Sequence, residues 1–256
     1  MSFENKTIVI TGGAQGIGES CTRIFHRDHG QVVILDVDEA AGEELSRKLG
    51  DRALFIKCNV ARESEVKNAM QQAVATFGSL DVLVNNAGIL RYSTVTETTE
   101  EEWDLVMDVN LKGSFLCAKH AIPYMMEKGS GAVINMSSAQ AFLVQEQVAA
   151  YCTTKTALIG LTRSIAVDYA PQVRSVAICP GTVDTPLNRK AFAMSPDPEA
   201  VLQECKDMHV LKRIAGADEI GELVAFVAGE KAPFITGQVI RIDGGLGIKA
   251  EGSKKN

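Results

Sequence analysis

The chain has 256 residues, 46% of them hydrophobic and 23% charged, with a net charge of −6. That balance belongs to a folded domain long enough to bury a full core, and it excludes disordered, collagen-like and disulfide-scaffold classes. The acidic excess argues against a nucleic-acid backbone or an anionic membrane as partner. Cys21, Cys58, Cys117, Cys152, Cys179 and Cys205 are scattered, with no C-x-x-C pair and no histidine cluster beside them, so no metal site and no disulfide framework is expected. The polar start Met1–Lys6 lacks the apolar stretch of a secretory signal, and no apolar run reaches membrane-spanning length, so a cytoplasmic protein is expected.

The first predicted strand, Thr7–Thr11, runs through Thr-Gly-Gly-Ala-Gln-Gly-Ile-Gly (11–18) into a predicted helix over Ile17–His29. Gly12, Gly16 and Gly18 let the backbone turn tightly and approach a ligand, and the helix start offers free N–H groups and positive dipole charge. Both features suit a pyrophosphate. The second strand, Val32–Asp36, ends on a carboxylate that suits the two ribose hydroxyls of an adenosine and repels a 2′-phosphate; neither Gln15 nor Val37 supplies a cation that would welcome one. NAD is therefore expected rather than NADP. A helix over Glu39–Leu49 and a strand over Ala53–Cys58 follow, with Asn59 and the Val60 backbone placed for adenine. Next come a helix over Glu63–Phe77, a strand over Val82–Asn85 and a long helix over Glu100–Lys128.

After the strand Ala132–Met136 stands Ser138, and the helix-like stretch Ala150–Tyr169 places Tyr151 and Lys155 at i and i+4 on one face. These three residues form an acid–base set for hydride transfer. Bringing a phenol from ~10 to ~7 takes about 4 kcal/mol of preferential phenolate stabilisation. One cation about 5 Å away at an effective dielectric near 20 supplies roughly 3 kcal/mol. Protonated Lys155 together with a positive nicotinamide ring is enough, so Tyr151 is expected to act as acid/base, Lys155 to tune it and Ser138 to orient the substrate oxygen. The chain closes with strands over Ser175–Cys179 and Val239–Asp243 and a helix over Asp218–Ala228. Between the two strands, Pro186, Pro196 and Pro198 interrupt residues 185–209, read as a substrate lid. Residues 249–256 are read as a frayed tail. The βα alternation without a linker predicts a single α/β domain, 1–256, with a doubly wound parallel sheet.

Residues 11–18, Asn-Asn-Ala-Gly at 85–88, Ser138, Tyr151-x-x-x-Lys155 and Pro180-Gly181 occur in that order. Together they resemble the motif set of the short-chain dehydrogenase/reductase family, over residues 5–247. The resemblance implies a Rossmann-type sheet of seven parallel strands, a nicotinamide cofactor and a homotetramer. It also implies cofactor contacts from Gly12, Gln15, Gly16, the Ile17 backbone, Gly18, Asn86, Gly88, Tyr151, Lys155, Pro180, Gly181, Val183 and Thr185. Asn110, in Asp-Val-Asn-Leu-Lys, matches a fourth catalytic position whose backbone carbonyl holds a water linking Lys155 to solvent. Asn59 departs from the Asp of many members.

The substrate-facing stretches are then 139–150, 89–94 and the lid. Gln140, Gln145, Arg91 and Tyr92 there suit a hydroxylated ligand, and Ser138-Ala-Gln and Pro180-Gly-Thr-Val-Asp-Thr-Pro-Leu are similar to the family's aldose dehydrogenases. A sugar or polyol is the leading expectation. An apolar acyl or steroid ketone under a wall of Leu187, Phe192, Met194 and Val201 stays open, as does a cofactor-bound scaffold without chemistry.

Overall fold

In the computed structural model, residues 2–248 are described, and the tail expected over 249–256 lies outside them. The elements run β1 (Thr7–Thr11), α1 (Gly16–Arg27), β2 (Gln31–Asp36), α2 (Glu39–Leu49), β3 (Ala53–Lys57), α3 (Glu63–Phe77), β4 (Val82–Asn85), α4 (Glu100–Met107) and α5 (Gly113–Lys128). They continue with β5 (Gly131–Met136), α6 (Ala149–Asp168), β6 (Val173–Pro180), β7 (Val183–Asp184), α7 (Pro186–Phe192), α8 (Pro198–Met208), β8 (Ala215–Gly216), α9 (Ala217–Ala228) and β9 (Val239–Ile242). Seven strands form one parallel sheet in the order β3-β2-β1-β4-β5-β6-β9, and β7 pairs with β8 in a small separate ladder.

The period of two along each strand sorts its side chains to the two faces. Val9, Val33, Leu83 and Val133 pack with Met70 of α3 and Leu116 and Met125 of α5. Their neighbours Ile8, Ile10, Val82, Val84 and Ile134 pack on the other face with Ile24 and Phe25 of α1 and Ile220 and Val224 of α9. Helices on both faces explain why these strands read as unbroken apolar runs. The chain reverses direction of winding between β1 and β4, and the carboxyl ends of the strands open there into a crevice.

Two stretches differ from their sequence reading. The helix expected over 100–128 is divided by a π-helical segment, Asp108–Lys112, that leads without a break into α5. The lid is not irregular: Pro186 and Pro198 each open a short helix, capped by the side chains of Thr185 and Asp197. Proline at the first helical position loses no intrahelical bond, so these two prolines start helices instead of breaking them. Among the described residues no helix is long and apolar enough to cross a membrane.

Candidate functional site

A cavity of about 630 Å³ lies along the carboxyl ends of the strands. Its floor is the glycine turn. Gly12 and Gly16 sit at φ +60° and +57°, and a Cβ on Gly12 would come within 3.0 Å of the Ala87 backbone. Gly16 abuts Thr185, so the start of the lid rests against the turn. No side chain caps α1: Gln15 instead donates Nε2–H to Asp38 Oδ2 at 2.7 Å. A glycine cradle beside an uncapped helix start is a donor set that fits a pyrophosphate.

Several hydrogen bonds hold the turn in shape. Thr11 Oγ1 accepts from the amides of Asn86 and Ala87 at 2.9 and 3.0 Å, and Asn86 Nδ2 donates to the carbonyls of Thr11 and Gly12 at 3.0 and 3.1 Å. Asn86, expected to reach a cofactor ribose, lines the cavity but spends its amide protons on the turn. At one end of the cavity, Asp36 accepts from the amides of Ala14 and Asp38, each at 3.1 Å. Asp38, which also caps α2 through Ala41 N–H, adds a second carboxylate to the same wall. Asn59 and Val60 line the wall beside them; Asn59 Oδ1 accepts from Ala61 N–H at 3.0 Å, which fixes the side chain at the end of β3.

At the other end stand Ser138, Tyr151 and Lys155. The Tyr151 hydroxyl faces Ser138, whose Oγ accepts from Gln140 N–H at 3.1 Å. Lys155 is only 4% exposed, and burial lowers its ammonium to about 8. It donates to the Met136 carbonyl at 2.8 Å and stands 5.5 Å from the centroid of the Tyr151 ring. Ser137 clamps the same stretch from the side, donating to the Lys155 carbonyl at 2.6 Å. Gly88 faces this arrangement: a Cβ there would make ordinary contact, 3.5 Å from Lys155 Nζ and 3.4 Å from Asn110 Oδ1.

Burial holds the Tyr151 phenol above its ordinary range in the protein alone, outweighing the contribution of Ser138. The lowering expected from Lys155 and a nicotinamide ring together concerns the protein with its cofactor bound.

Of the residues expected at the site, Gly12, Gln15, Gly16, Ile17, Asp36, Asn59, Val60, Asn86, Gly88, Ser138, Tyr151, Lys155, Pro180, Gly181, Val183 and Thr185 all line this cavity. Four do not. Gly18 lies behind the wall, where α1 crosses the Gly12 carbonyl. Asn110 is fully buried: its amide brackets the Ile89 backbone at 2.8 and 2.9 Å, and its carbonyl accepts from Ser114 Oγ at 3.0 Å. That carbonyl, expected to hold a water, has its second lone pair left for one. Gln140 and Gln145 lie off the cavity and bond each other, Nε2 to Oε1 at 3.2 Å, with Gln145 reaching the Tyr92 phenol. Sequence reasoning passed over Thr11, Asp38 and Lys190. Asp38 carried a legible signal, since it stands at the N-cap position of a helix whose start was already placed.

The family model described as "Enoyl-(Acyl carrier protein) reductase" matches residues 12–247. An uncharacterized oxidoreductase of Thermotoga maritima is 39% identical over 249 residues, 96% of this chain and 98% of the relative. The aldohexose dehydrogenase of Thermoplasma acidophilum superposes with a TM-score of 0.91 at 36% identity, covering 99% of this chain and 98% of that one. The 3-ketoacyl-(acyl-carrier-protein) reductase of Brucella melitensis, solved with NADH, superposes at 0.88 with 31% identity, covering 95% of this chain and 99% of that one. With the glycine turn, Ser138, Tyr151 and Lys155 gathered at one cavity of a seven-stranded parallel sheet, and with relatives matching over nearly its whole length, the chain belongs to the short-chain dehydrogenase/reductase family of oxidoreductases.

Proposed function

We propose that this protein is an NAD-dependent dehydrogenase acting on a hydroxyl or carbonyl carbon of a small polar molecule, with a sugar or polyol as the favoured substrate class. The observation that carries the reading is that Ser138, Tyr151 and Lys155 share one cavity with an uncapped helix start and a pair of carboxylates. In this reading Gly12, Gln15, Gly16 and Ile17 hold the pyrophosphate, and Gly18 seats α1 behind them. Asp36 takes the adenosine ribose, and Asn59 and Val60 take the adenine. Asn86, Gly88 and Lys155 lie toward the nicotinamide ribose, and Pro180, Gly181, Val183 and Thr185 toward the carboxamide. Bound NAD supplies the hydride acceptor and a positive charge next to the phenol. Tyr151 Oη takes the proton of the substrate hydroxyl during oxidation and returns it during reduction, while Ser138 Oγ holds the substrate oxygen. Asn110 acts from behind, fixing Ile89 and so the edge of the substrate end.

Asp36 and Asp38 support NAD over NADP, because a 2′-phosphate would meet two carboxylates. Asp36→Ala is expected to narrow the ratio of kcat/KM for NAD over NADP by about tenfold, roughly 1.4 kcal/mol. Asp38 keeps the ratio from inverting. A native preference for NADP, or an unchanged ratio in the variant, contradicts this assignment.

The aldohexose dehydrogenase among the structural neighbours supports the sugar reading. The rival reading, an apolar acyl ketone, has Leu187 on the cavity wall and the ketoacyl reductase neighbour in its favour. Phe192, Met194 and Val201 do not line the cavity, and Met194 is 74% exposed, so the greasy wall reduces to one residue. Arg91 and Lys190 line the cavity as well. A panel of aldoses, polyols, acyl ketones and steroids assayed with NAD⁺ or NADH separates the two. Sugars or polyols are expected to exceed the apolar ketones in kcat/KM by at least about tenfold. Turnover confined to the apolar ketones would overturn the sugar assignment. The reading includes a homotetramer, supported by exposed apolar side chains on α5 and α6, among them Phe115 at 48% and Val167 at 79%.

A further inference from the structure

His209 is 2% exposed and lies at the C-terminal end of α8, outside the set of residues used above. Its two ring nitrogens have partners of opposite kind. Nδ1 stands 2.6 Å from the Cys205 carbonyl, which can only accept, so Nδ1 carries the proton. Nε2 stands 3.2 Å from the Thr182 backbone amide, which can only donate, so Nε2 is bare and accepts. The surroundings thus select one neutral tautomer.

The ring is also the place where the lid meets the floor of the cavity. A Cβ on Gly181 would come within 2.7 Å of His209 Nε2, so the turn after β6 lies directly on the imidazole. Thr182 is held from the other side as well, its carbonyl accepting from Ala215 N–H at 2.9 Å. Pro180, Gly181, Val183 and Thr185 on this turn all line the cavity. By contrast, neither α7 nor α8 buries a single residue completely, so the lid has little apolar packing to hold it.

We propose that His209 is a positioning residue for the nicotinamide end of the cavity: as a neutral Nδ1–H imidazole it latches the end of lid helix α8 to the turn Pro180–Thr182 and so sets the backbone that faces the cofactor. The proposal rests on the nicotinamide reading of the cavity, and NADH binding to the unaltered protein tests that reading separately. His209→Phe keeps an aromatic ring but leaves the Thr182 amide without an acceptor. It is expected to raise the NADH Kd and the KM for NAD⁺ roughly tenfold, with a much smaller fall in kcat. His209→Gln, whose Oε1 reaches the Nε2 position, is expected to recover most of that affinity. Equal constants for His209→Phe and the unaltered protein, or equal losses in both variants, would overturn the latch while leaving NADH binding to the unaltered protein intact. Should the Phe variant fail to fold, ¹⁵N NMR of the unaltered protein decides: the Nδ1–H tautomer, with an Nε2 signal that shifts on adding NADH, is expected. An Nε2–H tautomer, or a signal indifferent to NADH, would contradict it.

Discussion

Tyr151→Phe is expected to lower kcat by about 10³-fold or more while leaving NADH affinity within about threefold of the unaltered protein. The substitution removes one oxygen and little else. Its neighbour Ser138 keeps the Gln140 amide as a donor, so no polar group is stranded. Lys155 keeps its bond to the Met136 carbonyl, so the ribose end of the cavity retains its cation. What is lost is the hydroxyl that this reading places to exchange a proton with a substrate oxygen held by Ser138. Steady-state turnover alongside NADH fluorescence titration checks both halves. Turnover within tenfold of the unaltered protein would show that the proton travels by another group, and a parallel loss of NADH affinity would show that the phenol serves binding instead.

Gly18→Ala is expected to damage the cradle without touching the cavity wall. A methyl on residue 18 would overlap the Gly12 carbonyl oxygen and come within 2.7 Å of Asn86 Nδ2. That oxygen is backbone and cannot rotate away, so α1 must move off the turn, or the turn must move off Asn86 and give up the bonds to the Thr11 and Gly12 carbonyls. Overpacking of this kind costs about 2–3 kcal/mol, a fall in Tm of roughly 5–10 °C for a domain of this size. NADH affinity is expected to fall at least about tenfold, since the displaced atoms are those that shape the pyrophosphate site. Differential scanning fluorimetry and NADH titration measure the two effects. An unchanged Tm would mean that helix and turn do not touch there, and an unchanged affinity that the turn does not hold the phosphates.

The strands and most of the helices were legible because both signals are local. Thr7–Thr11 and Val82–Asn85 read as strands from apolar runs, and the helix over 63–77 from its period. The glycine turn and Asp36 were legible for a related reason: their spacing along the chain is the geometry of a single strand–turn–helix unit. What escaped depends on which groups use up which lone pairs. Asn86 lines the cavity as expected, but that its amide protons go to Thr11 and Gly12, 75 and 74 residues away in sequence, could not be read from the chain. Asn110 was placed in an ordinary helix, but it stands in a π-helical segment, where its side-chain amide brackets the Ile89 backbone. Prolines 186 and 198 were read as breakers because their meaning depends on whether the preceding Thr185 or Asp197 caps a helix. The Tyr151 phenol is raised by burial in the protein alone, and the Lys155 ammonium stands 5.5 Å from its ring centroid; both depend on how the fold packs these side chains. Neither is visible in a Tyr-x-x-x-Lys spacing.

The central claim is that the Tyr151 phenol becomes an effective base when a positive nicotinamide joins Lys155 beside it, against the burial that raises it in the protein alone. Titrating the phenolate ultraviolet band of the protein with pH, with and without NAD⁺, and subtracting the same titration of Tyr151→Phe isolates this one group from the other tyrosines. The account predicts a phenolate signal that appears at distinctly lower pH when NAD⁺ is present. A Tyr151 signal at the same or higher pH with saturating NAD⁺ would contradict it.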